Sequence, residues 1–363
     1  MSLPNSLRTP LVAVVAFLVV ACGGSTGAGT ASTPAAVDVG SGSLNGAGAT
    51  FPEPFYTQAF YQYNQKFPNV SVNYQAIGSG GGIKQFTAGT VDFGASDVPM
   101  NAAELTAAGG ASSLIEVPTI LGVVSIAYNL PGVDKLQLDG ATLAAIFLGK
   151  VQTWDDPAIK ALNSGVSLPG KPITVVHRSD GSGTSYQFTD YLSKVSPDWK
   201  SGPGVGKAVS WPTGVGASGN TAVAQAIKST ENAIGYVELA YVIQTHMHQA
   251  YLKNQAGKFL QASIAGATAA ASQNTNVSPA NFSITDQAGD AAYPIASFSW
   301  IFLKKSIADG AKGRALVYLF KWVVTDGQAF GTPLDYAPLP QPVQAYALDQ
   351  LKSVQVNGQA VLK

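Results

Sequence analysis

Hydrophobic positions along the chain recur with two periods, and segments of the two kinds alternate. Strand-like runs, alternating or apolar throughout, occupy 44–48, 70–77, 91–96, 114–130, 173–178, 233–239 and 297–303. Between them, apolar residues three and four apart predict helices over 54–67, 83–89, 141–149, 184–195, 221–230, 312–327 and 343–354. Tyr56, Phe60, Tyr63 and Phe67 thereby share one helical face. LIEVPTILGVVSIAYNL (114–130) is β-branched and apolar without alternation, which predicts buried sheet. Asp139 precedes the helix at 141–149 as a candidate cap. Repeated β–α alternation predicts an α/β fold, with helices flanking a mixed, mostly parallel sheet. The most polar stretch, 253–285, predicts loops or irregular helix, and the scattered Trp and Tyr residues read as core.

The N-terminus follows another pattern. Arg8 is the only charge before position 37, and it precedes the apolar run LVAVVAFLVV (11–20) and then Ala21, Cys22, Gly23 and Gly24. A positive start, a short apolar run and small residues predict an export signal over 1–21. The run is too short to span a bilayer. VVAC resembles a bacterial lipobox, with Cys22, the sole cysteine, as the lipidated residue. The uncharged Gly/Ser/Thr-rich segment that follows predicts a flexible tether, 22–41.

Composition narrows the function classes. Lys and Arg total 21, as do Asp and Glu, so no basic excess exists for nucleic-acid binding. A hydrophobic share of 46% argues against disorder. One cysteine excludes an intrachain disulfide, and 363 residues suffice for about two domains.

Three Gly/Ser-rich loops lie between a strand and a helix: GAGATFPEP (46–54), IGSGGGIKQF (77–86) and HRSDGSGTSYQF (177–188). Helix N-termini carry unpaired N–H groups and a partial positive charge, so such loops favour anions. The third is the most specific. Arg178 ends a strand, Asp180 can hold its guanidinium, and Ser182, Gly183 and Thr184 open a helix. Arginine suits bidentate contact with tetrahedral oxyanions. In VDFGASD (91–97), Asp97 stands at a strand end, where α/β sheets bind ligands. Taken alone it reads as a cap for NAAELTA; beside three anion loops it reads as an acceptor for a protonated ligand oxygen.

Other motifs fail their chemistry. GVSLPGKP (165–172) has P-loop spacing, but Pro172 replaces the hydroxyl residue that would ligate Mg²⁺. The one G-x-S-x-G match, GGSTG (23–27), lies in the tether. His246 and His248 have no acidic or cysteine neighbour to complete a metal site. His177 points away from Arg178 on a strand. No cofactor and no metal are expected.

These loops, in this order, resemble those of the phosphate-binding lipoproteins of bacterial high-affinity phosphate ABC importers. The likeness rests on GAGATFPEP, YQAIGSGGGIKQF, TVDFGASD, TWDDPAIKALN, HRSDGSGTSYQFTDYLSK and GNTAVAQAIKSTENAIGYVE, and runs from about residue 43 to the C-terminus. It implies phosphate contacts from Thr50, Phe51 through its backbone N–H, Ser79, Asp97, Arg178, Ser182, Gly183 and Thr184, with Asp180 pairing the arginine. One departure is Gly80, where many members carry a second serine. The resemblance implies a hinged, two-lobed periplasmic-binding-protein fold: 42–118 with 293–363 as the first lobe, 119–292 as the second. It implies a monomeric, lipid-anchored receptor on the outer face of the bacterial membrane that passes inorganic phosphate to an ABC permease, and no enzyme. The alternatives are a phosphatase-like enzyme using the same cradle and a binder of another oxyanion such as sulfate.

Overall fold

A computed structural model describes residues 37–363; the expected signal, Cys22 and most of the tether lie outside them. The principal elements follow the hydrophobic pattern closely. They are β1 (Gly42–Gly48), α1 (Glu53–Lys66), β2 (Val70–Ala76), α2 (Ser79–Ala88), β3 (Phe93–Ser96), α3 (Ala102–Ala107), β4 (Leu114–Asn129) and α4 (Gly140–Phe147). There follow β5 (Thr174–Arg178), α5 (Gly183–Val195), β6 (Val215–Ala217), α6 (Gly219–Ser229), β7 (Ala233–Glu238), β8 (Ile295–Lys304), α7 (Gly310–Val324) and α8 (Gln341–Lys352).

The main sheet runs in the order β2-β1-β3-β8-β4-β7-β5-β6. Both ends are parallel, β1 with β2 and β3, and β5 with β6 and β7. The centre is antiparallel, because β8 runs against both β3 and β4, and β4 against β7. The long apolar run in β4 is what joins the halves. Its first part, Leu114–Val123, pairs with β8, and its second, Val124–Asn129, pairs with β7. Every residue of β4 but the last is buried, as an unalternating run requires of a central strand. The ladder breaks register between Ser299 and Trp300, opposite Pro118, which has no N–H to give.

Two local departures from expectation have physical causes. α2 begins four residues early, inside SGGG, where glycine serves packing rather than a turn: a Cβ at Gly82 would lie 2.4 Å from the Gly48 Cα of β1. The cap of α3 is Asn101, which forms a capping box with Glu104; Asp97 does not cap it. Asp139 caps α4 as expected, accepting from Thr142 N–H. The polar stretch 253–285 holds the short helix Ile264–Ala271 and two-residue strand pieces at Phe259–Leu260 and Ile284–Thr285. Trp154, Trp199 and Trp300 are fully buried. No helix of the described residues is long and apolar enough to cross a membrane.

Candidate functional site

β1 and β3 are parallel and end at one edge, while β5, beyond the antiparallel centre of the sheet, runs the opposite way and ends facing them, so the loops that follow all three meet. The chain leaves β1 for Thr50 and Phe51, leaves β3 for Asp97, and leaves β5 for the turn that opens α5. With Ser79 opening α2, this gathers the sequence-predicted residues at one buried point. Ser79, Phe51, Ser182 and Thr184 have no exposed surface, and Asp97 and Arg178 almost none.

Arg178 supplies the charge. Its Nε and Nη2 form a fork onto the two carboxylate oxygens of Asp180, and Nη1 donates to Thr184 Oγ1 at 3.3 Å. Asp180 also accepts from Gly219 N–H at 3.0 Å. Burial opposes ionisation of Asp180, but the guanidinium and this N–H hold its carboxyl below the usual range. Tyr236, an unpredicted member, accepts from Arg178 N–H at 3.0 Å and shares a 2.6 Å bond with Ser185 Oγ. His177, one residue away, turns outward and stacks on Trp211, as strand alternation requires.

Asp97 is a carboxylate placed at the mouth of α5, against Gly183. Burial pushes its carboxyl up to about 7 from the ordinary 3.8, against the lowering effects of Ser299, Arg178 and Ser79. Ser299 donates to Oδ1 at 2.7 Å, and Ser79 approaches Oδ2 at 3.4 Å. Ser79 Oγ accepts N–H groups from Asp97 at 3.2 Å and Gly183 at 3.1 Å. Gly183 is obligatory here: a Cβ would stand 2.4 Å from Asp97 Oδ2 and 2.7 Å from Ser79 Oγ. Ser182 caps α5, accepting from Ser185 N–H at 3.0 Å. Gly80, the departure from the family pattern, donates its N–H to Gly181 O at 2.8 Å, so backbone fills the place of a side chain.

Thr50 is held by Asn220, whose backbone N–H and Nδ2 both donate to Thr50 Oγ1, at 3.1 and 3.0 Å. Tyr241 and Tyr336 donate to the carbonyls of Thr50 and Phe51, both at 2.6 Å, fixing the turn. The Phe51 N–H donates to no protein atom among the described residues. Asn220, Ser299, Tyr236, Tyr241 and Tyr336 come from distant segments, and nothing local marks them in the sequence except that Asn220 sits in GNTAVAQ. The arrangement is a buried, donor-rich cradle around the Asp97 carboxylate, suited to a small oxyanion bearing a proton.

The rejected motifs stay apart. Lys171 is followed by Pro172 and then by β5, with no helix whose N-terminus could take a phosphate. His248 stacks on Tyr128. Among the described residues, no group of three His, Cys, Asp or Glu side chains could hold a metal ion.

Comparison with known proteins agrees with this geometry. Residues 29–315 match the family model described as the PBP superfamily domain. The phosphate-binding protein PstS of Xylella fastidiosa (strain 9a5c) is 43% identical over 327 residues, covering 88% of each chain. That of Pasteurella multocida is 44% identical over 318 residues, covering 85% of this chain and 91% of the relative. The crystal structure of a phosphate-binding protein from Stenotrophomonas maltophilia shares the fold, with a TM-score of 0.65 at 20% identity, over 85% of this chain and 94% of that one. At such identity across most of both lengths, the chain belongs to the PstS family of phosphate-binding proteins, within the PBP superfamily.

Proposed function

We propose that this protein is a solute-binding protein that captures inorganic phosphate and delivers it to a membrane-embedded ABC permease. The observation that carries the reading is the buried convergence of Arg178, Ser79, Thr50, Thr184 and the start of α5 on one acceptor, Asp97. In it, the Arg178 guanidinium, the Phe51 and Thr184 N–H groups and Gly183 at the start of α5 contact phosphate oxygens, Ser79, Ser182, Thr50 and Thr184 donate hydroxyls, and Asp97 accepts the phosphate proton. Asp180 steadies the guanidinium.

The ligand lies between two lobes, 42–118 with 293–363 and 119–292, whose connections run through β4 near Pro118 and enter β8 near Pro294. Contacts that join the proposed lobes include Gly183 N–H to Ser79 Oγ, Gly80 N–H to Gly181 O, Asn220 to Thr50, Tyr241 to the Thr50 carbonyl, Gln187 to the Asp97 carbonyl, and the Lys207–Glu104 ion pair. They fit a closed state, which ligand would stabilise by touching both sides at once. The protein is a monomer that binds no nucleic acid and is not an enzyme. It is exported and held at the outer face of the membrane by lipid on Cys22.

Titration calorimetry with phosphate, sulfate, molybdate and arsenate tests the reading. Phosphate should bind with one-to-one stoichiometry and sulfate should not compete at pH ~8.5. Equal affinity for sulfate would overturn the assignment. Incubation with a phosphomonoester should release no phosphate; turnover would favour a phosphatase using the same cradle.

A further inference from the structure

Asn220 lies in α6, outside every phosphate-facing loop, with no exposed surface. Its side chain nonetheless reaches both threonine hydroxyls of the cradle. Nδ2 donates to Thr50 Oγ1 at 3.0 Å and to Thr184 Oγ1 at 3.2 Å. The orientation of the amide is fixed from its other end: Oδ1 accepts the Glu238 N–H at 3.1 Å, which only the oxygen can do. The backbone N–H of Asn220 adds a second bond to Thr50 Oγ1, and Arg178 Nη1 adds a second to Thr184 Oγ1.

A hydroxyl has two lone pairs and one proton. Both lone pairs of Thr50 Oγ1 and both of Thr184 Oγ1 are therefore occupied by protein N–H groups. Neither hydroxyl donates to a protein atom among the described residues. The two protons have one direction left, into the cradle. We propose that Asn220 is the positioning residue that saturates both threonine acceptors and so commits both hydroxyls to donate to the bound oxyanion. Ser79 differs: its Oγ also accepts from Asp97 and Gly183 N–H groups, but its proton goes to Asp97 Oδ2 at 3.4 Å. Saturated hydroxyls also cannot accept from a ligand O–H, which leaves Asp97 as the one acceptor and sharpens selection of a ligand by its proton count. Without Asn220 each hydroxyl is free to rotate, and its ordering is then deducted from binding. This inference rests on the reading of the site as an oxyanion cradle.

The experiment is a cycle of phosphate titrations at pH ~8 on the full chain. It uses wild type, Asn220→Ala, Thr184→Val, the double variant, and Thr184→Ser alone and with Asn220→Ala. Thermal unfolding of each ligand-free variant accompanies the titrations. Wild type must bind phosphate; if it does not, the cradle reading fails, whatever Asn220 does. Asn220→Ala should weaken phosphate about 10- to 100-fold, the loss expected for one to two neutral hydrogen bonds. In the Thr184→Val background the same change should weaken it several-fold less, and Thr184→Ser should restore the full effect. A purely structural role gives the same factor in all three backgrounds, and that result overturns the proposal. Should Asn220→Ala not fold, Thr50→Val and Thr184→Val remain: each must weaken phosphate about tenfold, and retained affinity in both rejects the proposal.

Discussion

The position of Asp97 makes a quantitative demand on pH. Its carboxyl is buried against Ser79, Ser299 and Gly183 and carried from the ordinary 3.8 to about 7, chiefly by burial. An acid whose proton affinity rises on folding contributes stability below its unfolded value, near 4, and loses it as pH climbs through 7. Each tenfold change in proton affinity is ~1.4 kcal/mol, so ionising Asp97 in the empty site costs on the order of 4 kcal/mol. Asp97→Asn removes that cost. Below pH ~7 the protonated acid can donate to an unprotonated oxyanion, and above it the carboxylate repels one. Sulfate affinity of the wild type should therefore fall about tenfold per pH unit above ~7 and level off below it. In Asp97→Asn it should be flat, since the amide donates at every pH. Two assays check this: sulfate calorimetry from pH 5.5 to 8.5, and melting of ligand-free protein over the same range. The melting curves should converge at low pH and separate as pH rises, with the variant the more stable. Glu116 is also pushed up to about 7 by burial, so only the difference between the two proteins isolates Asp97. A wild-type sulfate affinity that is the same at pH 5.5 and 8.5 refutes the reasoning.

The remaining predictions are more direct. Arg178→Ala should weaken phosphate roughly 10- to 100-fold, the effect of losing a charge-assisted bond of ~1.5–3 kcal/mol, and added salt should not restore it, as calorimetry at two ionic strengths shows. Gly183→Ala should abolish phosphate binding, because its methyl would lie 2.4 Å from Asp97 Oδ2; calorimetric detection of normal affinity would mean the cradle opens there. Cys22→Ala should move the protein from the membrane to the soluble fraction, or block its processing; an unchanged fractionation pattern counts against the anchor.

Much of the fold was legible because its signals are local. The 16-residue run of β4 and the amphipathic helices announce themselves by burial period. The glycine loops and Arg178-x-Asp180 announce the cradle by chemistry that neighbours in sequence must perform together. What stayed hidden depends on long-range contact. The antiparallel centre of the sheet arises because β8, from near the end of the chain, inserts between β3 and β4, and no periodicity states a strand's neighbour. Asn220, Ser299 and Tyr336 serve loops 170, 202 and 285 residues away. An Asn at a helix start and a Tyr near a turn look ordinary until the fold delivers them. The early start of α2 was hidden for a different reason: SGGG reads as a breaker, yet its glycines are there because β1 leaves no room for a Cβ at Gly82, and the helix runs through them.

The fork between Arg178 and Asp180 has a consequence for how the protein meets its ligand. The one guanidinium in the cradle is already neutralised by the carboxylate it grips. With Asp97 ionised, the immediate surroundings carry a net negative charge, and the whole chain is formally neutral. The charges of the cradle itself therefore draw no anion inward, and its attraction begins at contact, through N–H and O–H dipoles that mobile ions do not screen. Capture should proceed at nearly the same rate in a dilute and a saline medium. A cell relying on such a receptor would scavenge equally well in fresh or salty surroundings, where a site built on unpaired lysines would lose its grip as the salt rose.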